Sequence, residues 1–205
     1  LLSGLDDDNG GSDTNILVAV DTVNGYVYGV SIPRDSKAII DGKARKINYA
    51  YNKGGTELLA DTVSEQLGIP VDYTVSVNLK GFTALVDAIG GVDFDVPYPM
   101  DYHDPAQNLV IEQAPGLRHL DGDDAMQVIR WRKNDHDSPY GYNKGGVGDA
   151  GRMELQQNFL KAVIKEMMQP KNVLNIGKIA KVFEESVETD LSFQNILWFG
   201  KRAFS

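Results

Sequence analysis

The chain of 205 residues contains no cysteine, which excludes disulfides, thiolate metal sites and a cysteine nucleophile. It has no run of 18 or more apolar residues, so nothing in it reads as a membrane-spanning helix. Basic residues are in deficit: 20 Lys and Arg face 29 Asp and Glu, a formal net charge of -9. That balance argues against nucleic acid, whose phosphates demand a basic surface. Gly54-Gly55 lacks the Gly-Lys-Ser/Thr ending of a phosphate-binding P-loop. No Gly-x-Ser-x-Gly elbow occurs, which removes the usual serine hydrolase. His103, His119 and His136 have no metal-ligand spacing and read as surface residues. Asp6 to Asp8 lacks the calcium-loop pattern. No internal repeat occurs, and no segment reads as a signal peptide. The start, Leu1-Leu2-Ser3-Gly4 and then an acidic, glycine-rich run, is expected to be the cut edge of an anchor region and a solvated linker over residues 1–11.

The length and the 42% hydrophobic content suit one domain with a sizeable core. Asn15–Asp21 and Tyr26–Ile32 are rich in β-branched residues and Tyr, with the hairpin signal Asn24-Gly25 between them. Thr56 is expected to cap a helix through Leu59, Val63 and Leu67 that stops at Gly68. Tyr73, Val75 and Val77 alternate as in a strand, and so do Val92, Phe94 and Val96. Phe82, Leu85, Val86 and Ile89 make a helical stripe, a candidate wall for a lipid or plain core. Asp121 is expected to cap a helix through Ile129. Arg152–Met168 has a long helix pattern, Ile176–Phe183 another, and Ser192 opens a last one. Strands and helices alternate, so the expected fold is α/β: a single α-β-α domain over residues 12–205 with a central mixed β-sheet flanked by helices.

Against the acidic background, four arginines stand out: Arg34 in Ser31-Ile32-Pro33-Arg34-Asp35, Arg130 and Arg132 around Trp131, and Arg152 one turn before Gln156. Guanidinium forks match phosphate oxygens, so their grouping points to a phosphate or pyrophosphate. Arg152 and Gln156 head the expected inward stripe of their helix, with Phe159 (or Leu160), Val163 and Met167. A buried unpaired guanidinium is too costly, so this stripe should line a polar cavity; the plain alternative is a surface pair between Arg152 and Asp149. Arg130 and Arg132 share a side only if the chain is extended there; otherwise they form a solvated patch with Lys133. Asp13 lies just before one hairpin strand and Asp35 follows the other, so the two carboxylates can approach and suit a hard cation bridging a pyrophosphate. Turn aspartates are the more common role for such residues. Lys46 and Asn48 offer ligand groups or merely lead into a helix. Asn134–Gly148 reads as a flap or an exposed loop.

Taken in order, Ser12-Asp13-Thr14, Ser31-Ile32-Pro33-Arg34-Asp35, Lys46-Ile47-Asn48, Leu85–Val92, Leu120-Asp121-Gly122, Arg130-Trp131-Arg132, Asp149 with Arg152 and Gln156, and Val187–Leu191 make the chain resemble the LytR-CpsA-Psr family of bacterial cell-envelope proteins. The resemblance implies an α-β-α domain outside the cell, behind an N-terminal membrane anchor, most commonly in Gram-positive bacteria. It implies transfer of a glycopolymer, teichoic acid or capsule, from a polyprenyl-pyrophosphate carrier to peptidoglycan. By resemblance, Asp13 and Asp35 would hold Mg²⁺ (or Mn²⁺). Arg34, Arg130, Arg132, Arg152 and Gln156 would hold the pyrophosphate, with Lys46 and Asn48 beside them. Asp149, Arg130 and Arg152 would be catalytic, Asp149 assisting the acceptor hydroxyl. Leu155 departs from the family, where a further arginine is frequent. Two other readings of the same residues are hydrolysis of the polyprenyl pyrophosphate and lipid binding without turnover.

Overall fold

The computed structural model describes residues 1–5, 11–21, 23–24, 26–140, 148–174, 176–192, 194–195 and 197–199, with only the backbone of Asp149 and Val173. In chain order the elements are β1 (Leu2–Leu5), β2 (Ser12–Asp21), β3 (Tyr26–Ser31), β4 (Lys37–Ile40), β5 (Lys43–Lys46), α1 (Asn48–Leu67), β6 (Val75–Asn78), α2 (Leu79–Ala88) and β7 (Val92–Val96). They continue as β8 (Met100–Asp104), β9 (Leu109–Gln113), β10 (Gly116–Leu120), α3 (Gly122–Arg130), α4 (Gly148–Met167), α5 (Pro170–Leu174), α6 (Ile176–Ser186) and β11 (Val187–Thr189). The fold is α/β with a central mixed sheet flanked by helices. The residues form two compact units, one of Leu1–Gly81 with the return segment from Ala180, the other of Phe82–Ile179.

The first unit holds the five-stranded sheet, in the order β11-β6-β1-β2-β3. Strand β1 runs parallel to β6 and antiparallel to β2, so it is the middle strand. Leu2–Leu5, expected in a solvated linker, are therefore interior structure, and Leu1 is buried. The apolar stretch is too short to announce itself beside Asp6–Asp8, and its role comes from partners far along the chain. Those aspartates, and Gly25 of the hairpin turn, lie outside the described residues.

A second hairpin, β4–β5, turns at Asp41-Gly42, both in the left-handed region (φ 51° and 70°), a turn that these residue types favour. It packs with α1 over a core of Ile32, Ala38, Ile40, Ile47, Leu59 and Val63. Helix α1 is interrupted at Gly54 and Gly55, where φ and ψ leave the helical region. The helix read from Thr56 is thus the second half of α1, and it ends at Gly68 in the left-handed conformation as expected. Thr56 does not act as the expected cap: its hydroxyl shares a 3.3 Å hydrogen bond with Ser76 on β6.

The second unit holds two ribbons, β7–β10 and β8–β9, packed with α3 and α4. Phe94 of β7 and Phe82 of α2 both meet Phe159 of α4, at centroid distances of 5.0 and 6.0 Å. Val86 and Ile89 of the α2 stripe are buried, while Phe82 and Leu85 are half-buried. Gly91, at φ 81°, must be glycine: a Cβ there would sit 2.5 Å from His119 and 2.8 Å from the Leu120 carbonyl.

Candidate active site

The first group of polar candidates grows from the end of β3. Ile32 is buried and its N–H donates to the Asn15 carbonyl, 2.8 Å. Pro33 has no N–H and ends the ladder. The register that pairs Ile16 with Ser31 brings the next residues beside the start of β2. Arg34 Nη1 accordingly donates to Asp13 Oδ1 at 2.8 Å, and Arg34 Nε lies 4.0 Å from Asp35 Oδ2. The expected approach of Asp13 and Asp35 across the hairpin is thus seen as two carboxylates facing one guanidinium.

Backbone bonds then fasten β5 and α1 to this corner. The Ile47 N–H donates to the Ser36 carbonyl, 2.8 Å, and the Asn48 N–H to the Arg34 carbonyl, 3.2 Å. Ile47 is fully buried, which leaves Lys46 and Asn48 on either side of it at the corner. Lys46 Nζ reaches Asp35 Oδ1 at 2.6 Å. Arg34, Asp13, Asp35, Lys46 and Asn48, chosen by sequence, are therefore assembled in one place. The side chains of Arg34, Asp13, Asp35 and Lys46 are a third or more exposed, so each surface pair contributes little stability by itself.

The second group surrounds Trp131. Asp121 caps α3 by accepting the Asp124 N–H at 2.9 Å, as expected. The helix runs to Arg130, and Trp131 is extended (φ -64°, ψ 138°). Trp131 is fully buried; its ring stacks on Tyr98 and its Nε1 donates to Asn134 Oδ1, 3.0 Å. Asn134 Oδ1 also accepts the Asp101 N–H at 2.9 Å, which ties the segment to β8. With Trp131 pinned inside, Arg130 is half-buried and Arg132 exposed on either side of it.

Arg130 Nη2 donates to Gln107 Oε1 at 2.9 Å, and Gln107 Nε2 donates to Asp104 Oδ2 at 2.8 Å. The sequence reading missed Gln107. The turn character of Asp104-Pro105-Ala106-Gln107-Asn108 was legible, but nothing local links it to an arginine 23 positions on. Gln156 Nε2 donates to the Ile129 carbonyl, 3.1 Å, one of the orphan acceptors at the end of α3. This anchors α4 at the base of Arg130.

The stripe of α4 is shifted from the expected one. Leu155 and Phe159, one turn apart, are its most buried residues, while Arg152 and Gln156 are half-buried beside them. Val163 and Met167 are also half-buried. Leu155, where the resemblance implies a further arginine, is core. The Asp149 side chain and residues 141–147 of the expected flap lie outside the described residues. His103 and His119 are exposed and pair with Glu112 and Asp93 at 3.0 and 2.7 Å, fitting their surface reading.

No cluster of three or more His, Asp or Glu poised for a metal occurs among the described residues. Asp13 and Asp35 nevertheless offer hard carboxylate oxygens at a solvent-open corner. Beside them the Ser12 hydroxyl and the Asn15 side-chain oxygen are buried without a hydrogen-bond partner. One or two carboxylates suit Mg²⁺, which keeps waters and takes substrate phosphates as its other ligands.

The sequence profile of the LytR_cpsA_psr family matches residues 1–205, and the chain belongs to that family. It is 36% identical over 187 residues to the polyisoprenyl-teichoic acid–peptidoglycan teichoic acid transferase TagV of Bacillus subtilis, covering 89% of this chain and 45% of that protein. The crystal structure of B. subtilis TagV superposes with a TM-score of 0.78 at 31% identity, over 99% of this chain and 77% of that one. TagT bound to LI-WTA superposes at 0.74 with 25% identity, over 100% of this chain and 73% of that one. The chain spans between 45% and 60% of the length of such curated relatives. Among the described residues no helix is long and apolar enough to cross a membrane.

Proposed function

We propose that this protein is a Mg²⁺-dependent phosphotransferase that moves a glycopolymer, such as a teichoic acid, from a polyprenyl-pyrophosphate carrier to peptidoglycan. It would act at the outer face of a Gram-positive cell membrane, held there by an N-terminal anchor. The observation that carries the reading is the corner where Arg34, Asp13, Asp35 and Lys46 meet, in a chain of a family whose relatives carry a transferase name. Such chemistry needs positioning and charge neutralisation more than covalent catalysis.

In this reading Arg34, Arg130, Arg132, Arg152, Lys46, Asn48 and Gln156 bind the pyrophosphate, the arginines through paired N–H donors. Asp13 and Asp35 would hold the metal, which neutralises phosphate charge when bound. The acceptor hydroxyl oxygen forms a bond to the sugar-proximal phosphorus. The bond from that phosphorus to the bridging oxygen breaks, and polyprenyl phosphate leaves with the electron pair. The hydroxyl proton passes to Asp149. Arg130 and Arg152 stabilise the charge that moves onto the leaving oxygen.

The test is incubation with a polyprenyl-pyrophosphate-linked saccharide and peptidoglycan fragments, with Mg²⁺ or EDTA, followed by mass spectrometry. The expected product is a glycan–phosphate–peptidoglycan adduct that EDTA abolishes. Released polyprenyl phosphate without an adduct would replace transfer by hydrolysis. Unchanged substrate retained by the protein would replace it by binding alone.

A further inference from the structure

Basic residues are scarce in this chain but not evenly so. Residues 35–53 hold five of the 20, Lys37, Lys43, Arg45, Lys46 and Lys53, beside only Asp35 and Asp41. The β4–β5 hairpin and the first turns of α1 bring three of them, Lys37, Arg45 and Lys46, around an open groove of about 540 Å³ whose other polar lining is Asp35, Asn48, Tyr49 and Asn52. Lys37 lies directly opposite Lys46 in the strand register. Like charges facing across a ladder destabilise it; Asp35 compensates Lys46, while Lys37, Lys43 and Arg45 form no ion pair with any described residue. Arg45 lies over the Tyr49 ring, 5.2 Å from its centroid. This leaves an aromatic edge beside a cation, a pairing suited to a sugar next to a phosphate.

We infer that this groove is a track for the anionic repeats of the glycopolymer itself, selecting a phosphodiester-linked polymer over a neutral one. Lys37 and Arg45 would bind successive phosphates, Tyr49 and Asn52 would meet the intervening polyol or sugar, and Lys46 and Asn48 would join the track to the pyrophosphate corner. The inference rests on the phosphotransferase reading. An open groove that sets the Tyr49 ring beside Arg45 fits a sugar next to a phosphate, whereas adsorption to an anionic membrane needs no such pairing.

The experiment measures binding of a fluorescently labelled, lipid-free poly(glycerol phosphate) chain by anisotropy, with a neutral glucan of equal length as comparison. Lys37→Gln/Arg45→Gln should bind poly(glycerol phosphate) about tenfold more weakly at low salt, with a shallower salt dependence than the parent protein. Arg45→Lys should recover part of the loss. Equal affinity in parent and double variant would overturn the inference, as would equal binding of the neutral glucan. A loss confined to phosphatidylglycerol/phosphatidylethanolamine vesicles would overturn it in favour of a membrane surface. Transfer assays separate the two readings. If Arg130→Ala abolishes transfer while the double variant binds polymer normally, the groove fails and the phosphotransferase stands. If the parent forms no adduct yet binds poly(glycerol phosphate) through Lys37 and Arg45, the transferase reading fails and the groove stands.

Discussion

The Arg34 corner and the Trp131 segment use the same local device and support their charges in opposite ways. In each, a buried apolar residue sits between two outward polar ones: Ile47 between Lys46 and Asn48, Trp131 between Arg130 and Arg132. Burial of the central side chain fixes the direction of its neighbours without asking anything of them. At the corner, Arg34 and Lys46 are matched with carboxylates, at 2.8 Å to Asp13 and 2.6 Å to Asp35. Near Trp131, Arg130 is held by the neutral amide oxygen of Gln107. The corner is thus close to neutral until its carboxylates are engaged by a cation. Arg130 keeps its full positive charge for an incoming anion. In the proposed function, one region would respond to metal and the other would attract phosphate regardless of it.

The comparison breaks most completely at its hinge. Trp131→Ala should cost about 3–5 kcal/mol by removing a fully buried ring and its partner hydrogen bond, and it should misplace Arg130 and Arg132 together. Urea denaturation followed by circular dichroism measures it; a loss below about 1 kcal/mol would mean that the ring does not hold the segment.

Next is the charge itself. Arg130→Ala should lower kcat/KM for transfer about 100- to 1,000-fold with the melting temperature unchanged. Asp35→Ala should abolish transfer as fully, with the fold intact. Arg34→Ala should cost less than Arg130→Ala, because Arg34 is already compensated by Asp13. Equal losses at the two arginines would remove the distinction drawn between the regions.

A finer test concerns Gln107, a positioning residue that acts through Arg130. Gln107→Ala should raise KM a few-fold with little change in kcat, since it loosens a guanidinium without removing it. Gln107→Glu would place a carboxylate against Arg130 and make it resemble Arg34. Substrate binding by that variant should then become more sensitive to added Mg²⁺ than in the parent protein.

The smallest effect lies at the tip of the hairpin that brings Asp13 to Arg34. Asp21 accepts the N–H groups of Val23 and Asn24 and the Asn24 side-chain amide. The amide of Asn24, with those backbone N–H groups, holds its carboxyl below the usual value of 3.8. A depressed folded value means that its stabilisation is present above the unfolded value and is lost as pH falls through the folded one. An NMR titration should show the Asp21 carboxyl ionised at pH values where a model aspartate is half protonated. Asp21→Asn should flatten the acid limb of the stability curve slightly.

Much of this was legible in the residues. Alternation fixed β7, where Val92, Phe94 and Val96 are buried and Asp93 and Asp95 are not. Side-chain capping chemistry marked Asp121, and the left-handed tolerance of glycine marked Gly68. The candidates Asp13, Arg34, Asp35 and Lys46 were named one by one and prove to touch. What escaped was non-local. Leu2–Leu5 form a middle strand because β2 and β6 supply hydrogen bonds on both sides, and no feature of four residues encodes that. The stripe of α4 shifted by one position because Phe159 is claimed by Phe94 and Phe82, so Leu155 turns inward and Gln156 is left to cap α3.

The sequence by itself determined the residue types of the chemistry and the order in which they occur: guanidiniums for an anion, carboxylates for a hard cation, no thiol and no histidine centre. It also set the local periods and stops that make most of the elements. Tertiary structure decided which charges neutralise which, because an ion pair such as Arg34–Asp13 or Lys46–Asp35 depends on distance in space rather than on composition. It decided that Gln107, not an acid, steadies Arg130. It also gathered Lys37, Arg45 and Tyr49 from two strands and a helix around one groove, a juxtaposition that hairpin register and the packing of α1 create and that no single segment specifies.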